Sequence, residues 1–241
     1  CYRYKPPTPT PRMRSSRSVP ASETARMTTI IAPRIHDIGG LQVRRAVPTL
    51  QARSVGPFVF VDQMGPAVLS PGTGIDVRPH PHIGLATVTY LLSGRLHHRD
   101  SLGTDAWIAP GEVNLMTAGQ GITHSERMDG PARQAPQSLF GLQTWLALPL
   151  DREDDAPAFV HVPEADLPVL QAEGKHVRLI LGNAWGVQGA RAPSEALYAD
   201  ATLAALRPEP VMQPSFPRIY QMERDWLKAI DCARRLEREA G

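Results

Sequence analysis

Two pairs of metal-ligating side chains, each pair two residues apart, constrain this chain more than any other feature. They lie at the ends of one stretch, Gly74 to Glu126. His80 and His82 stand in G-I-D-V-R-P-H-P-H-I-G-L-A-T-V-T-Y-L-L-S-G, and His124 and Glu126 in M-T-A-G-Q-G-I-T-H-S-E-R. Residues two apart on a β-strand point to the same face. One strand therefore aims two imidazoles at a point, and a second strand aims an imidazole and a carboxylate at it. Mixed nitrogen and oxygen ligands of this kind suit a divalent transition metal, with Fe, Mn, Co, Ni, Cu and Zn all acceptable to the donor set.

The surrounding sequence is β in texture. From Ile30 to about Leu148, short runs rich in Val, Ile, Thr and aromatics alternate with Gly and Pro breaks: L-Q-V-R-R-A-V, F-V-F-V-D, A-T-V-T-Y-L-L, W-I-A, E-V-N-L-M-T-A and S-L-F-G-L-Q-T-W-L-A-L. Ser93-Gly94 and Pro110-Gly111 are turn pairs. Many short strands without helical periodicity indicate a sandwich or barrel, and a small barrel gives the two ligand pairs a shared interior. After the charged D-R-E-D-D-A-P at 151–157, F-V-H-V-P, H-V-R-L-I-L-G and A-L-Y-A-D-A-T-L read as a second, shorter β-unit. Beyond about Leu206 a Pro-rich connector leads into residues 219–239. There Ile219, Met222, Trp226, Ile230, Ala233 and Leu236 recur at helical spacing, which predicts an amphipathic helix.

Residues 1–26 carry Arg3, Lys5, Arg12, Arg14, Arg17 and Arg26 against Glu23 alone. The formal net charge of +2 therefore conceals a mildly acidic remainder, which argues against a folded basic surface for nucleic acid. The stretch is Pro-, Ser- and Arg-rich without apolar periodicity and reads as a disordered leader or non-native extension, with Met27 as the expected natural start. It lacks the apolar segment of a secretory signal. No apolar run approaches the roughly 20 residues that span a bilayer. The two cysteines, Cys1 and Cys232, fit a reducing, cytoplasmic compartment better than a disulfide framework.

Several other residues have modest expectations. His97 and His98 should divide between the two faces of a strand. The pair His98–Asp100 could orient a ligand, although a solvated strand end is the plainer reading. Gly119 and Gly121 supply a tight turn rather than a phosphate cradle, since no strand-to-helix context follows. Arg44, Arg45 and Arg53 read as exposed strand charges.

G-x5-H-x-H is the first half of the cupin first motif. H-P-H-I-G followed in order by M-T-A-G-Q-G-I-T-H-S-E-R resembles the pirin family of bicupins over roughly residues 27–205. The resemblance implies an all-β architecture of cupin (double-stranded β-helix, jelly-roll) barrels. The expected parts are a metal-binding N-terminal domain at 27–150 and a C-terminal domain without the metal site at 151–206. That second barrel is left incomplete by the change to connector and helix at 207–241. It further implies His80, His82, His124 and Glu126 as metal ligands and Fe(II) as the usual metal. Some members have quercetin (flavonol) dioxygenase activity and others act in transcriptional co-regulation. The general cupin motif places a glutamate where this chain has Ala86, so the carboxylate rests on Glu126, as the pirin pattern has it.

Three imidazoles and one carboxylate leave a net +1 on a divalent ion and open positions for a substrate oxygen or O2. Glu126 is then the candidate catalytic base for a flavonol hydroxyl. The expected activity is a metal-dependent dioxygenase acting on a small aromatic, flavonol-like substrate, in a monomeric protein. The alternative is a metal- or redox-dependent regulatory protein that meets a protein partner without turnover, or a metal-binding scaffold with no activity.

Overall fold

The β-prone runs all lie in strands. In the computed structural model, which describes residues 31–128, 130–172 and 175–203, ten strands occupy the first part. They are β1 (Arg34–Ile38), β2 (Leu41–Val47), β3 (Phe58–Leu69), β4 (Asp76–His82), β5 (Leu85–Ser93), β6 (Leu96–Asp100), β7 (Asp105–Ile108), β8 (Val113–Thr117), β9 (Ile122–Arg127) and β10 (Gln137–Ala147). Six more follow: β11 (Ala158–Val162), β12 (Val169–Ala172), β13 (Lys175–Leu181), β14 (Asn183–Ala184), β15 (Val187–Gln188) and β16 (Tyr198–Leu203). The helical pieces among the described residues are two short 3-10 turns, Gly130–Gln134 and Glu164–Asp166. No helix among them is long and apolar enough to cross a membrane. The leader at 1–26 and the connector and helix at 207–241 lie outside the described residues.

An antiparallel seven-stranded sheet runs in the order β1-β2-β3-β10-β5-β8-β11, and a four-stranded sheet in the order β4-β9-β6-β7. Apolar side chains from both, including Val43, Met64, Leu91 and Leu139 of the larger sheet and Leu96 and Ile108 of the smaller, form one core cluster. The two sheets thus close face to face in the all-β cupin manner expected from the sequence. Burying each such side chain is worth about 1.5–3 kcal/mol.

β5 is buried on both sides. Ala86, Val88 and Tyr90 enter a second apolar cluster with Val113, Leu115, Leu146, Ile180, Leu181 and Tyr198. Thr89 and Leu91, on the opposite face, look toward the smaller sheet. The three-stranded sheet β12-β13-β16 packs through this cluster on the outer face of β5 and β10. β11, which lies beyond the charged 151–157 stretch, pairs with β8 in the seven-stranded sheet, so the first barrel draws a strand from beyond residue 150.

The arginine expectation needs correcting at Arg45. It stands directly across from Asp62 in the β2–β3 ladder and makes two hydrogen bonds of 2.9 Å to its carboxylate. Asp62 is only 2% exposed, and the Arg45 guanidinium lies 4.3 Å over the Phe60 ring. A buried carboxylate needs such a partner, and a planar guanidinium supplies both bonds at once. Arg53 is exposed but lies in a bend.

Candidate metal centre

The site is built on β9 because that strand lies between two others that carry ligand-type side chains. On one side β9 pairs with β4, where His80 opposes His124 and His82 opposes Ile122. On the other side it pairs with β6, where His98 opposes Glu126 and Asp100 opposes His124. A register shift between Val77 and His80 admits one extra residue on β4, which sets His80 beside His124. The two-residue spacing of each pair then keeps His80 with His82, and His124 with Glu126, on one face.

The three imidazoles sit with ring centroids 4.5–4.9 Å apart. His82 Nε2 and His124 Nε2 are 3.0 Å from each other. His80 donates from Nδ1 to the carbonyl oxygen of Arg78 at 2.8 Å, which leaves its Nε2 with a lone pair. Burial pulls the pKa of His82 down to about 4, with nearby His80 adding to the effect. The same cause, reinforced by His80, His82 and His98, lowers His124 to about 3. Both rings are therefore neutral at ordinary pH, the form that can ligate a metal.

Glu126 is 4% exposed. Its carboxylate accepts from Thr89 Oγ1 at 3.2 Å and from Gln143 Nε2 at 3.1 and 3.2 Å. Burial pushes its pKa up, against the opposing pull of the Gln143 and Thr89 hydrogen bonds and of His98 and His80. Among the described residues, these hydrogen-bond donors are neutral. A buried carboxylate without a cation is costly, and two Nε2 atoms at 3.0 Å have one proton between them or a cation beside both. These residues fit a divalent metal.

Ligand-type atoms fall into two overlapping groups, each within 4.8 Å: His80, His82 and His124, and His98, His124 and Glu126. Three of the four residues expected as ligands, His80, His82 and His124, thus share one group, and Glu126 falls in the second, linked to the first through His124. His98 joins them, and here the plainer reading of the sequence is wrong. His97 and His98 are both buried, at 5% and 2% exposure, because both faces of β6 are covered. His97 stacks on Trp107 and meets Asp105. His98 stacks on Phe159 of β11 and meets Asp100 at 2.9 Å. Burial works to raise the pKa of Asp100, but hydrogen bonds from His98, from the Thr104 side chain and backbone and from the Leu102 backbone outweigh it and lower the value.

Sequence reasoning did not find Thr89, Gln143, Phe60 or Trp145. Phe60 and Trp145 stack 4.0 Å apart, with the Trp145 ring edge-on to His82 at 5.0 Å. A polar residue at every second position of an apolar strand, as in A-T-V-T-Y, is the signal that could have found Thr89, and a lone Gln in the apolar run before Trp145 the signal for Gln143. Ala86 packs in the apolar cluster on the far face of β5, so the missing glutamate of the general motif leaves no gap at the site. A cavity of about 330 Å³ touches His82 and is lined by Pro81, Ile83, Ser101 and Thr123 among others. The G-Q-G turn before β9 is tight, as expected. Gly119 has φ +49°, and a Cβ there would overlap the Asp155 carbonyl oxygen.

Comparison with known proteins agrees with this architecture. The Pirin family model matches residues 40–146. A pirin-like protein of Caulobacter vibrioides is 43% identical over 196 residues, covering 80% of this chain and 66% of its own length. A crystal structure of a quercetin 2,3-dioxygenase from Acinetobacter baumannii superposes with a TM-score of 0.62 at 38% identity, over 66% of this chain and 52% of that one. A second structure of that name from the same organism gives 0.65 at 27% identity, over 71% and 62%. The chain thus spans between about half and two thirds of the length of these proteins. The family-model match spans His80, His82, His124 and Glu126, and by these matches the chain belongs to the pirin family.

Proposed function

We propose that this chain carries a pirin-type metal centre with Fe(II) held by His80, His82, His124 and Glu126, and that it acts as a dioxygenase on quercetin or a similar flavonol. The observation that carries the reading is the clustering of His80, His82 and His124 on β4 and β9, with the buried Glu126 carboxylate adjoining the same cluster through His124. Similarity to the two quercetin 2,3-dioxygenase structures supports the substrate class. A divalent iron bound there supplies Lewis acidity toward a substrate oxygen and the redox chemistry that O2 requires.

The protein's own groups have separate tasks. The Arg78 carbonyl holds His80 in the tautomer that presents Nε2. Thr89 and Gln143 orient Glu126, whose raised pKa suits it to take the 3-hydroxyl proton of a flavonol. The Phe60–Trp145 stack beside His82 offers a flat apolar wall to an aromatic substrate. A division near residue 150, with β11 returning across it to the first sheet, action as a cytoplasmic monomer and absence of nucleic-acid contact belong to the same reading.

The test is anaerobic loading with Fe(II), addition of quercetin and admission of air. Stoichiometric O2 uptake with loss of the flavonol absorbance is expected. Full iron occupancy with neither change would sink the dioxygenase assignment and favour a non-enzymatic metal-binding role.

A further inference from the structure

Asp100 and His98 form a buried chain that ends on His124. Asp100 Oδ1 accepts the backbone N–H groups of Leu102 at 2.9 Å and Thr104 at 3.1 Å. Its other oxygen, Oδ2, lies 2.9 Å from His98 Nε2. The two side chains are 0% and 3% exposed. His98 Nδ1 in turn lies 3.4 Å from His124 Nδ1, and His124 Nε2 faces His82 Nε2.

The proton positions along this chain follow from chemistry. A carboxylate only accepts, so His98 Nε2 must donate to it. A neutral imidazole has one N–H, so His98 Nδ1 keeps a lone pair. That lone pair faces His124 Nδ1, which must therefore carry the proton, and His124 Nε2 is left as the basic atom turned toward His80 and His82. We propose that Asp100 and His98 are positioning residues that lock His124 in the Nδ1–H tautomer and hold its Nε2 ready for the metal. The stacking of Phe159 on His98 at 4.5 Å fixes the plane of the intermediate ring. Metal-bound histidines generally donate their second nitrogen to such a partner, and here the partner is a second histidine braced by a carboxylate. This inference rests on reading His124 as a ligand. It competes with a different role for His98, that of a ligand alongside His124 and Glu126.

Asp100→Asn tests it with little change in shape. The two backbone N–H groups still require an oxygen at Oδ1, so the amide nitrogen must face His98 Nε2. The amide can only donate there, which forces His98 into the Nδ1–H form and sets two N–H groups against each other. Nitrogen-15 spectra of the histidines in metal-free protein should show His98 protonated at Nε2 in the wild type and at Nδ1 in the variant. Zinc affinity, measured by chelator competition, should fall by about 10–100-fold. His98→Gln can still donate to Asp100 and accept from His124, so it should hold zinc close to wild type, whereas His98→Leu should lose as much as Asp100→Asn.

An unchanged His98 tautomer and unchanged zinc affinity in Asp100→Asn would overturn the proposal. Loss of zinc in His98→Gln as severe as in His98→Leu would overturn it in favour of His98 as a ligand. Neither readout involves a flavonol, so absence of wild-type turnover would remove the dioxygenase reading and leave this one standing. If His124→Ala binds zinc normally, the ligand reading fails and the proposal fails with it.

Discussion

Gln143 and Glu126 are joined across the two sheets, with the Gln143 amide nitrogen 3.1 and 3.2 Å from the two carboxylate oxygens. Gln143 comes from β10 of the larger sheet and Glu126 from β9 of the smaller. The pair therefore sets how the carboxylate faces the imidazoles.

Replacing Gln143 with Leu should weaken metal binding by about 10–100-fold, the usual cost of losing a group that orients a ligand. The same change should raise the pKa of Glu126 further, because it removes a hydrogen bond that favours the ionised form. Metal titration followed by chelator competition checks the first effect. An affinity equal to wild type would mean that Thr89 alone suffices to hold the carboxylate.

His80→Ala, His82→Ala and His124→Ala should each strip the metal while leaving the barrel folded. Metal content by elemental analysis and sheet content by circular dichroism are the measurements. Full occupancy in any one variant would remove that residue from the ligand set. His124 is the most demanding case, since it belongs to both groups of ligand-type atoms.

Glu126→Gln retains the shape and one ligand oxygen but removes the charge and the basicity. The variant should keep part of its metal and lose turnover by roughly 10²–10⁴-fold, the range of general-base assistance. Comparison of kcat per bound metal separates the two losses. A rate per metal near wild type would make Glu126 a ligand only.

In the metal-free protein, the stabilising contribution of His82 and His124 should fall with pH. Burial holds His82 at about 4 and His124 at about 3, below the ordinary 6.5. Unfolding lets both rings take up protons at higher pH than the folded state does, so their contribution is complete above pH 6.5. It is lost progressively down to about pH 4 and then pH 3. Glu126 is shifted the other way and opposes the trend, so the profile is read in the Glu126→Gln variant, where that opposition is removed. The melting temperature of that variant, metal-free, should therefore drop across pH 6.5 to 4, and a flat profile would contradict the neutral buried state of the two rings.

The pairing of the candidate ligands was legible in sequence because strand alternation is a local property: His80 with His82, and His124 with Glu126, share a face whatever their neighbours. The β-character and the turn at Gly119 were legible for the same reason. Partners across strands were not, since they depend on register. Asp100 opposes His124, and His98 opposes Glu126, only because β6 pairs with β9 rather than with another strand. Arg45 looked like a surface charge for an equally physical reason, as its partner Asp62 is 17 residues away and reaches it only through the β2–β3 pairing. Thr89 and Gln143 required knowing which face of the larger sheet is turned inward.

The placement of β9 between β4 and β6 also bears on how the protein reaches its native pairing. A one-residue slip of either neighbour would turn its imidazoles to the opposite face, and the group around His124 would no longer exist. A metal that binds only the assembled group adds its binding free energy to one register and to none of the slipped ones. The ion would then act as a proofreader of strand alignment, penalising a mispaired sheet before any substrate is met.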